Sequence, residues 1–217
     1  MAYYIIKNAN EPEITGNVFP QISEHKAWCW DNYEFFANIR PDTIPTIELE
    51  LNYLKLHPKA KLTNFLSDGK INVGFIIDRK VKSILENFKL PEHKFFKASV
   101  QKGESFIDEF YWFFPVSKIS NLIDFSNSLF EISDRFVPSI IFDSHLKLKS
   151  VIEIIEFEKT NPEKRIRPER VSLLEGINVD FFQFGVFSYD WIITEALKNK
   201  LEESALSGFE VKQIKWL

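Results

Sequence analysis

Two stretches share one grammar, and that grammar constrains the fold more than any other feature. In "VGFIIDRKVKSILENFKLPEHKFFKASV" an apolar run is followed by Asp78. Val81, Ile84, Leu85 and Phe88 then recur at i, i+3, i+4 and i+7, the spacing of one helix face. A carboxylate at Asp78 can accept the free amides of the first turn, so it is placed to cap that helix. Pro91 ends the helical region, and "KFFKASV" reads as a strand.

The second stretch is "FQFGVFSYDWIITEALKNKLEESALSGFEVKQI". Ser188 follows an apolar run and stands where an N-cap is expected, with Ile193, Ala196, Leu197 and Leu201 as the helix face. Gly208 then reads as a stop in a left-handed or turn conformation before a new strand. Aligned on Asp78 and Ser188, the units lie about 110 residues apart and do not match residue for residue. They are a repeated strand–cap–helix–strand pattern rather than a demonstrated duplication.

The rest of the chain is read as mainly β. "TIELELNYLKL" places Ile47, Leu49, Leu51 and Tyr53 on one face, and Pro41, Pro45 and Pro58 argue against long helices there. "DEFYWFFPVSKI" is an aromatic strand ended by Pro115. "NLIDFSNSLFEI" is a short turn and then a strand. "PSIIFDSHLKLKSVIEIIEFEK" is read as two or three strands, with Glu153, Glu156 and Glu158 on an exposed strand edge or acidic docking surface. "TNPEKRIRPERVSLLEG" is read as a polar, proline-broken loop. The expectation is one α+β domain over 1–217, dominated by antiparallel sheet, with a β-rich part at 1–60.

Composition narrows the function classes. A net charge of −4 is unlike that of a general nucleic-acid binder. The 22 Phe residues are read as core filling. Cys29 is the only cysteine, so no intrachain disulfide can form. Flanked by Trp28 and Trp30, it reads as a small buried hydrophobe. No stretch approaches the ~20 apolar residues of a membrane helix, and the N-terminus lacks a basic start and apolar core. A cytoplasmic protein without membrane or nucleic-acid partners is expected.

Chemistry is sparse. The seven glycines form no G-x-G, and G-x-S-x-G and H-E-x-x-H are absent. His25, His57, His93 and His145 are widely spaced and read as structural or surface groups. Glu210 and Lys212 in "FEVKQI" have the Glu-x-Lys spacing of some metal-dependent nucleases, with Asp180 as a candidate upstream acid. Alternation with Phe209 and Val211 equally makes them the wet face of a strand. Lys164, Arg165, Arg167 and Arg170 form a basic stretch diluted by Glu163 and Glu169. No cofactor or metal site is expected.

Four segments resemble immunity protein family eleven of bacterial polymorphic toxin systems. They are "KAKLTNFLSDG", "GFIIDRKVKSILENF", "YWFFPVSKISNLIDFSNSLF" with Asp124 and Ser126, and "GVFSYDWIITEALKNKLEESALSGFEV" with Ser188 and Gly208. The similarity spans roughly residues 60–214, with Asp78 where the family commonly has Ser and Asn64 where it tends to have Asp. It implies a cytoplasmic protein that binds a cognate toxin domain and blocks it. It also implies structural rather than catalytic roles for Asp78, Asp124, Ser126, Ser188 and Gly208. Candidate partner anchors are Trp28, Trp30, Trp216 and the acids Glu153, Glu156 and Glu158. A small-ligand-binding or structural module, and a nuclease built on Glu210 and Lys212, are the alternatives.

Overall fold

The structure is a computed structural model that describes residues 2–25, 43–45, 51–71, 73–116, 119–175, 178–187 and 190–217. Strands are numbered in chain order. A six-stranded sheet has the order β2 (Ile22–His25), β3 (Leu51–Leu56), β6 (His93–Lys102), β7 (Ser105–Pro115), β5 (Phe75–Asp78), β4 (Phe65–Leu66). A four-stranded sheet has the order β11 (Phe181–Phe182), β12 (Trp191–Thr194), β1 (Tyr3–Asn8), β13 (Phe209–Gln213). A three-stranded sheet follows β10 (Lys164–Leu173), β8 (Ile123–Asp134), β9 (Ile141–Leu146). The helices are α1 (Pro12–Thr15), α2 (Arg79–Leu85), α3 (Val151–Thr160) and α4 (Glu195–Glu203). Within these sheets only β3–β6 pairs in parallel, so the fold is α+β and mostly antiparallel, as expected. Among the described residues no helix is long and apolar enough to cross a membrane.

The four-stranded sheet lies between two apolar cores. Ile6, Phe181, Trp191 and Ile193 join the larger core with Val81, Leu85, Leu197 and Leu201 of α2 and α4. Ile5, Phe182, Ile192 and Ile214 turn the other way, into a smaller core with Phe130, Ile154 and Ile166. Period-two alternation feeds both sides at once. That is why "WII" is apolar throughout, and why it is strand rather than the start of a helix.

The helical units match residue for residue once β12 is recognised. In the first unit Phe65 pairs with Ile77 and Leu66 with Ile76; in the second Phe181 pairs with Ile193 and Phe182 with Ile192. Phe75 opposes Phe113, which opposes Phe95; Trp191 opposes Ile6, which opposes Val211. The same interval of 116 residues relates Asn64 to Asp180, Gly69 to Gly185, Asp78 to Thr194, Leu85 to Leu201 and Phe95 to Val211. Each unit is a β–α–β in which a third, antiparallel strand separates the two parallel ones. That strand is β7 in the first unit and β1 in the second.

The equivalent polar positions do equivalent work. Asp78 Oδ1 accepts the Val81 amide at 2.9 Å and caps α2, as expected. Thr194 Oγ1 accepts the Leu197 amide at 3.5 Å and caps α4. Asn64 Nδ2 donates to Asp78 Oδ2 at 2.6 Å, while Thr194 Oγ1 donates to Asp180 Oδ1 at 2.8 Å. Each partner also reaches into the other unit. Asn64 Oδ1 accepts the Ser207 amide at 2.8 Å, and Asp180 Oδ2 accepts the Lys89 amide at 2.9 Å. The two dyads therefore tie each helix start to the loop that follows the other helix.

Several expectations are corrected. The second helix begins at Glu195 under a Thr194 cap, not near Ser188, which lies outside the described residues. Ile193 is consequently a strand residue, and Ala196 is exposed. Residues 151–160 form a helix, not a strand edge. Ser150 Oγ accepts the Glu153 amide and Glu153 Oε2 accepts the Lys149 amide, a reciprocal cap that starts a helix. The "polar loop" is β10, where Pro168 is tolerated because the strand is an edge with a register shift at that point. In β3 a register shift puts Leu54 and Leu56, rather than Tyr53, on the buried side with Leu51. Ile47, Leu49, Trp28, Cys29 and Trp30 lie outside the described residues.

Two stability predictions follow from the junction. Asp78→Ala and Thr194→Ala should each lower unfolding free energy by about 0.5–2 kcal/mol in urea titrations. Asp180→Ala should cost about 1–3 kcal/mol, since it leaves the buried Thr194 hydroxyl without its acceptor. A neutral Thr194→Ala would contradict the assigned cap. Gly208 sits at φ +89°, and a Cβ there would lie 2.1 Å from the Phe65 carbonyl oxygen and 2.6 Å from Thr63 Oγ1. At Gly185, φ +70°, a Cβ would meet nothing within 4 Å. Gly208→Ala should therefore lose clearly more stability than Gly185→Ala, whose cost is the backbone term of about 1 kcal/mol; equal losses would remove the argument from close approach.

Candidate functional site

Several charged residues line a two-lobed groove along the four-stranded sheet, whose smaller lobe also meets the three-stranded sheet. One lobe, about 480 Å³, is lined by Lys7, Asp190, Glu210, Lys212, Lys215 and Trp216. The other, about 330 Å³, is lined by Asp134, Arg135, Arg165, Arg167, Asp190 and Trp216. Ile5, Asp190 and Trp216 border both. β1 and β13 supply Lys7, Glu210 and Lys212 by the two-residue period of a strand. β10 supplies Arg165 and Arg167 in the same way.

Trp216 is half-buried against Phe184, ring centroids 5.7 Å apart, and its carbonyl accepts the Val171 amide. It is thus a wall of the groove fixed to β10. Lys7 pairs with Asp190 at 3.0 Å. Asp134 Oδ1 accepts the Phe136 and Val137 amides, which shapes the β8–β9 turn. Arg135 pairs with Glu158 at 3.1 Å. Arg165 and Arg167 instead donate to main-chain carbonyls, of Phe187 at 2.7 Å and Pro138 at 3.0 Å.

Glu210 and Lys212 are exposed neighbours on one face of β13, as the alternation implied. Asp180 is not beside them. It faces Thr194, which pairs with Tyr3, whereas Glu210 pairs with Lys7 four residues further along β1. At about 3.3 Å per residue the acid lies more than 10 Å away. Among the described residues no group of three or more His, Cys, Asp or Glu could hold a metal ion. Asp180 is thus not brought together with Glu210 and Lys212.

The other candidates hold structure together. Asp124 Oδ1 accepts the Ser126 hydroxyl at 2.6 Å and the Ser126 and Asn127 amides, while Oδ2 accepts Asn127 Nδ2. The Ser126 hydroxyl, then Asn127, holds the Asp124 carboxyl below the usual carboxylate range. Glu153 belongs to the α3 cap. Glu158 Oε1 accepts the Ile166 amide besides pairing with Arg135. Only Glu156 of the three faces solvent freely enough for docking.

The histidines do not converge. His25 Nε2 pairs with Asp68 at 3.0 Å in a buried setting, His145 pairs with Glu169, and His93 contacts the Pro91 carbonyl. Sequence reasoning did not single out the β8–β9 hairpin. Phe136 (79% exposed), Val137, Ile140, Ile141 and Phe142 (51%) stand in solvent, and on α3 so do Ile152 (64%) and Ile155. The visible signal was the apolar run "FVPSIIF" without an alternating polar partner face. No known protein family model matches the sequence, and no curated protein matches it.

Proposed function

We propose that this protein binds a bacterial toxin domain in the cytoplasm and neutralises it by occupying its surface, without turnover. The observation that carries the reading is the exposed apolar hairpin. Contiguous exposed apolar surface marks interaction sites, and the centres of protein interfaces are enriched in aromatic residues. β9 is an edge strand, so its outer main-chain groups are open to pairing with a partner strand. Arg135, bonded to Glu158, ties the hairpin base to α3. The four family-like segments supply the class of partner. Three of them map to the helical units and their junction, which hold the scaffold, while the hairpin lies between the units.

The test is co-expression with the polymorphic toxin domain encoded beside this gene. Rescue of growth and co-purification are expected, with a dissociation constant near nanomolar, about −12 kcal/mol. Phe136→Asp combined with Phe142→Asp should weaken binding by about 2 kcal/mol or more, the scale of interface anchors, with little change in urea stability. If the wild-type chain neither rescues nor co-purifies, the immunity reading is wrong. A second reading, a small-ligand-binding module, is favoured by the groove.

A further inference from the structure

We infer that the smaller lobe of the groove is a binding site for a small phosphate monoester, whose oxyanion is held by Arg165 and Arg167. The inference does not depend on toxin neutralisation.

The two arginines are separated by one residue on β10, so both project from one face. Both are half-buried. Each gives one N–H to a neutral carbonyl, Phe187 O or Pro138 O, which orients the guanidinium without cancelling its charge. A guanidinium carries five N–H donors in a planar fork, so most remain for a ligand. Among the described residues no carboxylate pairs with either. The lobe's third arginine, Arg135, is the contrasting case, matched by Glu158.

Of the lobe's acids, Asp190 is paired with Lys7. Asp134 accepts two main-chain amides and keeps its charge, one carboxylate against the two guanidiniums. The lobe's net balance is therefore positive, on a chain whose net charge is −4. That overall charge opposes long polyanions and favours a compact anion that fits the recess. The lobe's volume of about 330 Å³ is at the small end of small-molecule sites. Ile5, Phe187, Ile192 and Trp216 supply an apolar and aromatic wall. A phosphate carrying a ring or short organic body uses both halves of this lining. Paired guanidiniums bind phosphate oxygens bidentately, which a carbonyl-held pair is pre-set to do.

The experiment is calorimetric titration of the full chain at low ionic strength with inorganic phosphate, adenosine monophosphate and adenosine. Arginine side-chain ¹⁵N spectra are recorded in parallel. Saturable phosphate binding is expected, tighter binding of the monophosphate, and none of adenosine. The Nε resonances of Arg165 and Arg167 should move while that of Arg170, exposed on the same strand, should not. Arg167→Gln should weaken the monophosphate about tenfold, and Arg170→Gln should not. Near-UV circular dichroism checks the fold, and the wild-type resonance shifts stand even if a variant unfolds. Absence of saturable binding by the wild-type chain would overturn the site. Adenosine binding as tight as the monophosphate, or unmoved Arg165 and Arg167 resonances, would do so equally.

Discussion

The pairing of β1 between β12 and β13 is the constraint on which the rest depends. It places Ile6 in one core and Ile5 in the other, so the first strand of the chain is the wall that both cores share. Fully burying an Ile or Phe contributes about 1.5–3 kcal/mol, and this sheet draws such contributions from both faces. The same strand carries Lys7 and Ile5 to the rim of the groove. The described strands of residues 1–60 are shared between two sheets. Their first strand completes the C-terminal sheet, and β2 and β3 extend the other one.

How much of this was legible follows from where each signal is local. The Asp78 cap and Gly208 turn are short-range devices and stood in the sequence as they stand in the structure. The register of the second unit was missed by six residues, because Ser188 looks like a cap and "WIITEAL" satisfies a helical spacing as well as a strand. The pairs "FIID"/"WIIT" and Gly69/Gly185 carried the true alignment. Helix α3 hid because "VIEIIEF" alternates well enough for a strand, although Ser150 and Glu153 spell a capping box. The groove was not legible at all. It is assembled from β1, β8, β10, β12 and β13, and no spacing along the chain announces which strands will face one another.

The architecture separates what is kept rigid from what is shown to solvent. The helical units spend their polar groups on each other, through Asn64, Asp78, Asp180 and Thr194. The segment between them, from the 3₁₀ turn at Ile119–Leu122 to the end of β10, carries the exposed hairpin and both carbonyl-held arginines. Asp124, with its hydrogen bonds from Ser126 and Asn127, fixes the start of that insert, and the Trp216 carbonyl fixes its end. An element anchored at both ends can present a surface without loosening the scaffold.

The middle strand of each unit reaches its place by a very different route. β7 follows β6 after two residues, Gly103 and Glu104, with Gly103 at φ +61°. β1 must find β12 across roughly 180 residues of chain, and logarithmic scaling of loop closure makes that about 4 kcal/mol more costly in entropy. Two four-strand layouts of the same order and register thus differ in what must hold them shut. The first is closed by a turn. The second has no such turn and relies on its strand pairing and on burial, which accounts for the apolar or aromatic groups at four successive positions of its middle strand, Tyr3, Tyr4, Ile5 and Ile6.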